Sequence, residues 1–130
     1  MNARSSTTGT RIVTWSGPEE KTHVFLHGFS GRAESWAAFA SQLSITSHAL
    51  DLPGHGRPVP HAGWAANVEQ LHQEIQTLAP GAAITGYSMG GRLALGLMAR
   101  FPQMYPEVTV IGEIGPWGPE VGRGHGGATV

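Results

Sequence analysis

At 130 residues with 40% hydrophobic content, the chain suits one soluble globular domain with a real but modest core. Eight basic against nine acidic residues give a formal net charge of −1 without charge runs, so nothing suggests an electrostatic footprint for nucleic acid or an anionic membrane. Cysteine is absent, so disulfide scaffolds, thiolate catalysis and zinc–cysteine sites are excluded too.

Met1 to Thr10 is polar and lacks an apolar signal core, so a short flexible tail is expected rather than a secretory leader. No apolar run reaches membrane-spanning length, and the expected compartment is the cytoplasm. Arg11 to Trp15 reads as a first strand, closed by Ser16-Gly17-Pro18. His23 to Leu26 is a compact apolar run that ends at His27-Gly28, the pattern of a buried strand entering a turn. Trp36, Phe39, Ala40 and Leu43 recur at helical spacing, which predicts a helix from about Glu34. Ile45 to Leu50 is the next strand, and the prolines and glycines of Leu52 to Pro60 make a loop. Trp64, Val68, Leu71, Ile75 and Leu78 form a helical stripe stopped by Pro80-Gly81. Ala82 to Thr85 is a short strand. Leu93, Leu97, Met98 and Phe101 mark a helix ended before Pro102, and Val108 to Ile111 is a last strand. The alternation of strand and helix predicts βαβ units and a mostly parallel sheet with helices on both faces.

Gly86-Tyr87-Ser88-Met89-Gly90 matches G-x-S-x-G between a predicted strand and a predicted helix. That spacing serves a nucleophile: the serine sits on a strained turn, and a Cβ two residues to either side would clash. The following helix aims its N-terminus at the site and favours developing negative charge. An isolated G-x-S-x-G is also met as a plain glycine-rich turn, and the strand–helix context is what favours Ser88 as nucleophile. With such an elbow, the loop after the earlier buried strand supplies one oxyanion N–H and the residue after the nucleophile the other, which assigns Phe29 and Met89. His27 is read as a structural histidine bonded to loop backbone, and Asp51 and His55 of Asp51-Leu-Pro-Gly-His-Gly56 as scaffold residues. His23 and His27 share a strand face, but no H-E-x-x-H or carboxylate cluster accompanies them, so no metal site is expected.

The runs Val24–Gly31 (VFLHGFSG), Asp51–Gly56 (DLPGHG) and Gly86–Leu93 (GYSMGGRL) resemble the α/β-hydrolase superfamily. HGFSG combined with Tyr87 and Arg92 is most similar to the 2-succinyl-6-hydroxy-2,4-cyclohexadiene-1-carboxylate synthases of menaquinone biosynthesis. The resemblance covers about Thr22 to Gly118 and implies a cofactor-independent serine site that removes a proton, expels pyruvate and restores ring conjugation. It implies a small polycarboxylate substrate, with Arg92 binding a carboxylate and Tyr87 lining the pocket. A surface role for Arg92, simple packing for Tyr87 and a solvated Arg57 are the plain readings of the same residues. An ester or C–C bond hydrolase of the same fold is the alternative activity.

The superfamily's triad runs serine, acid, histidine in chain order. Asp51, the sole aspartate, precedes Ser88; after it come Glu107, Glu113, Glu120 and one histidine, His125. Glu113 and His125 do not make a convincing triad, because His125 lies in a glycine-rich stretch that would not preorganise a base. The expected organisation is a tail over 1–10, a partial α/β-hydrolase core over 11–118 and a Gly-rich irregular tail over 119–130. A chain without acid and base is expected to have little or no activity, so a dead or binding-only fragment is a further alternative. An exposed apolar strand at Val108–Ile111 is expected to promote self-association.

Overall fold

The computed structural model describes residues 1–5, 10–28, 31–52 and 63–112. Its elements are β1 (Asn2–Ser5), β2 (Arg11–Trp15), β3 (Glu19–Leu26), a single 3-10 turn (Ala33–Trp36) running into α1 (Ala37–Ala40), β4 (Ile45–Leu50), α2 (Trp64–Leu78), β5 (Ala83–Tyr87), α3 (Met89–Arg100) and β6 (Val108–Ile111). The strands form one sheet in the order β1-β2-β4-β3-β5-β6. Pairing is parallel from β4 through β3 and β5 to β6, and antiparallel where β1 and β2 join.

Strand parity divides the apolar residues between two cores. Ile12, Val24, Leu26, Leu50, Ile84, Val108 and Val110 point to one face, where they pack with Val68, Leu71 and Ile75 of α2 and Leu93, Ala94 and Leu97 of α3. Val13, Trp15, Phe25 and Ala49 point the other way, under Ala33, Trp36 and Ala40. Burial on both faces is why Ile12-Val13 and Val24-Phe25-Leu26 are continuous apolar runs rather than alternating ones. Beyond the packed stripe of α2, His72 stacks on Phe101 with ring centroids 3.6 Å apart, and its Nδ1 lies 2.6 Å from the Tyr105 hydroxyl. That buried pair fastens α2 to the turn between α3 and β6.

Three expectations are corrected. Residues 2–5, read as part of a flexible tail, form β1, an exposed edge strand paired with β2 from Asn2↔Thr14 to Ser5↔Arg11. Their polarity hid them, since an edge strand needs no apolar face. The helix expected from Glu34 begins at Ala33 as a 3-10 turn and ends at Ala40, leaving Phe39 64% and Leu43 39% exposed. Amides of Gln42 and Leu43 turn back to the carbonyls of Phe39 and Ala40, three-residue bonds that tighten and end the helix before β4. β3 starts four residues earlier than expected, with a register irregularity between Glu19 and Thr22.

Two histidines, His23 half-buried and His48 buried, tie strands together. His23 Nε2 lies 2.6 Å from Thr85 Oγ1, and His48 Nδ1 lies 2.8 Å from Thr14 Oγ1. Burial pushes both below the ordinary value of 6.5; Glu107 partly offsets this at His23, and Arg4 adds to it at His48. The folded state therefore holds these rings neutral, while the unfolded chain protonates them near 6.5. Stability is expected to be full above that value and to fall as the pH drops below it. Urea midpoints between pH 7.5 and 5 check this, and His23→Gln should flatten the slope.

Candidate active site

The chain leaves β3 to build β4 on one side, then returns to build β5 on the other. That reversal opens a crevice at the carboxyl ends of β3 and β5, where ligands bind in open α/β sheets. Ser88 follows β5 directly, and His27 and Gly28 follow β3.

Ser88 has φ 54° and ψ −110°, and among the described residues no other non-glycine has positive φ. Such a backbone costs about 1–3 kcal/mol and persists only where its surroundings enforce it. The enforcement is visible on both sides. A Cβ on Gly86 would collide with the carbonyl of Gly90, and one on Gly90 would collide with the carbonyls of Leu26 and His27. The first turn of α3 thus rests on bare backbone. The Ser88 amide donates to the Ile111 carbonyl at 3.0 Å, and the Ser88 carbonyl accepts from the Arg92 amide at 3.1 Å. Met89 opens α3, so its N–H has no carbonyl partner one turn back within the helix and lies at the positive end of the dipole.

Around the elbow, His27 is 1% and Asp51 2% exposed. Leu52 N–H donates to His27 Nε2 at 2.9 Å, which puts the ring proton on Nδ1, 2.9 Å from the Gly28 carbonyl. Asp51 Oδ1 accepts from Ala33 N–H at 2.8 Å. Both residues hold backbone, as the sequence indicates. Arg11 grips Glu34 through two hydrogen bonds, Nη1 to Oε1 at 2.7 Å, and lies 3.6 Å from Asp51 Oδ2. The hydrogen bond from Arg11 lowers the Glu34 carboxyl below its ordinary range.

A cavity of about 380 Å³ adjoins the elbow, lined by His27, Gly28, Ser35, Trp36, Phe39, Tyr87 and Ile111 among others. Tyr87 is half exposed, and its ring covers Gly28 so closely that a Cβ there would meet Cδ2 at 2.7 Å. Tyr87 thus lines the pocket, Ser88 and Met89 form the elbow, and Arg92 is half-buried one turn along α3 on the face of Ser88. Phe29, His55, Arg57, Glu113, Glu120 and His125 lie outside the described residues. Trp36, Phe39 and Ile111 were read only as core or strand positions. Their part in the cavity depends on which helix face meets the strand ends, which periodicity alone does not give. Among the described residues no three histidines or carboxylates gather as metal ligands, and no helix is long and apolar enough to cross a membrane.

Residues 24–126 match the Alpha/beta hydrolase family. The chain belongs to that family. This alpha/beta hydrolase is 33% identical to an esterase of Mycobacterium tuberculosis over 108 residues, 76% of this chain and 35% of the esterase. It is 35% identical over 82 residues to the 2-succinyl-6-hydroxy-2,4-cyclohexadiene-1-carboxylate synthase of Salmonella agona, covering 60% of this chain and 32% of the synthase. The crystal structure of a novel esterase from M. tuberculosis superposes with a TM-score of 0.73 at 30% identity, over 85% of this chain and 40% of that one. The chain thus spans about a third of the length of these curated relatives. The alpha/beta hydrolase fold, a mostly parallel mixed sheet with helices, is shared with them.

The strain at the elbow has a measurable consequence for stability. Ser88→Gly, which accepts positive φ freely, is expected to be about 1 kcal/mol more stable than Ser88→Ala by urea unfolding. Gly86→Ala is expected to lose more than the roughly 1–3 kcal/mol of ordinary overpacking, because the obstacle is backbone.

Proposed function

We propose that this chain carries the nucleophile half of a serine-dependent, cofactor-independent site that eliminates pyruvate from a small polycarboxylate, as in 2-succinyl-6-hydroxy-2,4-cyclohexadiene-1-carboxylate synthesis. The observation that carries the reading is Ser88 at positive φ on a glycine-flanked turn at the strand switch point. Tyr87 and Arg92 flank it, in the combination with HGFSG that marks the synthases, and one such synthase is among the relatives. In this reading Met89 and Phe29 N–H groups hold developing negative charge on oxygen. Arg92 takes a substrate carboxylate through its planar guanidinium, and Tyr87 walls the pocket.

Ester hydrolysis is the second reading, favoured by the esterase relatives and by the aromatic lining of Trp36, Phe39 and Tyr87. Both readings share the nucleophile and the oxyanion donors. They differ in what Arg92 and the cavity receive.

Neither reading assigns a triad acid or histidine within this chain, so activity is expected to be low. Oxyanion donors and binding alone leave about 10³–10⁴-fold over water in an intact site. A fluorophosphonate probe is expected to modify Ser88 slowly and to leave Ser88→Ala untouched, read by intact mass. Pyruvate release from the synthase substrate above the Ser88→Ala blank supports the lyase reading. Turnover of simple aryl esters without pyruvate release replaces it with the hydrolase reading. No labelling and no turnover mark the chain as catalytically dead.

A further inference from the structure

Asp51 and Leu52 are adjacent in sequence, yet they hold opposite ends of one turn. Leu52 donates its amide to His27 Nε2 at 2.9 Å, just before the turn, and Asp51 takes the Ala33 amide at 2.8 Å, just after it. Between these two points, the Gly31 amide closes on the Gly28 carbonyl at 2.9 Å, the same carbonyl that accepts from His27 Nδ1. Asp51 is itself anchored. Its amide donates to the Arg11 carbonyl at 3.0 Å, and its second oxygen faces the Arg11 guanidinium that also grips Glu34. Every bonded side chain here except Arg11 and Glu34 is almost wholly buried.

The held turn lies against the elbow without slack. Gly90 of α3 rests on the carbonyls of Leu26 and His27, and the Tyr87 ring rests on Gly28. A displacement of His27 or Gly28 is therefore passed to the residues on both sides of Ser88.

We infer that Asp51 and His27 form a two-point clamp, closed through Leu52 and Ala33, that holds Gly28 and Gly31 in register with the Ser88 elbow. Asp51 is then a positioning residue for the nucleophile site. It is buried away from the cavity wall and acts through the Ala33 amide and its neighbour Leu52. The inference rests on the serine-site reading only for its effect on Ser88; the clamp itself is a mechanical claim about the turn. It follows that releasing one end loosens the other, although the two ends are held by different residues.

The test compares Asp51→Ala, Asp51→Asn and Ala33→Pro in the full chain by amide hydrogen exchange and by the rate at which a fluorophosphonate modifies Ser88. Asp51→Asn keeps an oxygen for the Ala33 amide and is expected to behave nearly as the parent. Asp51→Ala is expected to speed exchange at Gly31 and Leu52 by about tenfold or more, with Val24 and Ile84 in the central strands unchanged. Labelling of Ser88 is expected to slow by about the same factor. Ala33→Pro removes the donor, at the first residue of a helical turn where proline is tolerated, and sets its ring Cδ where the amide hydrogen met Asp51 Oδ1, so the bond is broken from the other side. Arg32 before it has φ −146° and ψ 172°, an extended backbone that suits a residue preceding proline. It is expected to reproduce the Asp51→Ala pattern and decides the matter if Asp51→Ala does not fold. Parental exchange at Gly31 and Leu52 in either folded variant overturns the clamp. So does a uniform rise that includes Val24 and Ile84, which would make Asp51 a contributor to global stability only. If the parent chain takes no label at Ser88, the serine-site reading fails and the exchange pattern still decides the clamp.

Discussion

The structure turns on a close approach of backbone to backbone, where the first turn of α3 lies on the carbonyl ends of β3 with no side chain between them. Gly90 permits the contact, Gly86 clears the space behind it, and Ser88 absorbs the geometry as positive φ. The strain at one residue is small beside the apolar burial that opposes its relief. Leu93, Ala94 and Leu97 anchor α3 in the same core as Val24, Leu26 and Ile84. Relaxing Ser88 would require lifting that face from the sheet. The local cost is held in place by packing several residues away, and the serine is presented at the carboxyl ends of the strands as a result.

The two faces of the sheet divide the work unevenly. The face under α2 and α3 contains the larger apolar cluster and supports the elbow from below. The opposite face is covered over β2, β4 and β3 by Ala33–Ala40, and toward β5 and β6 the cavity opens, with Tyr87 and Ile111 on its wall. Polar anchoring is concentrated along the boundary between the covered and open regions, where Arg11, Glu34, Asp51 and His27 meet. A buried carboxylate and a buried imidazole at that boundary are tolerated because each is matched to a backbone partner.

Much of this was legible in the sequence, and the limits have physical causes. Ile45–Leu50 and Val108–Ile111 were readable to the residue, because turn-forming residues bound them, Asp51-Leu-Pro-Gly after the first and Pro106 and Gly112 around the second. The elbow was readable because steric exclusion leaves only glycine at two fixed offsets from the serine. β1 was not readable, since an exposed edge strand carries no apolar alternation. The helix after His27 was over-extended because Phe39 and Leu43 continue the helical spacing although neither is buried. Tertiary geometry, with β4 beginning at Ile45, ended that helix where periodicity would have carried it on. The backbone-holding role of His27 and Asp51 was foreseeable from the turn-rich segments around them. Their joint hold on a single turn was not, because it depends on Asp51–Leu52 and His27–Ala33 meeting across neighbouring parallel strands.

The hydrogen bond from the Ser88 amide to the Ile111 carbonyl makes the serine's own peptide the last rung of the ladder between β5 and β6. Strand ends are where ladders fray. The orientation of this serine is thereby tied to how firmly β6 is seated at the rim of the sheet. A neighbour that stiffens β6 would quiet the Ser88 backbone without approaching the crevice, and one that peels β6 away would tilt it. One of the two outermost described strands thus shares its final hydrogen bond with the strained residue of the elbow.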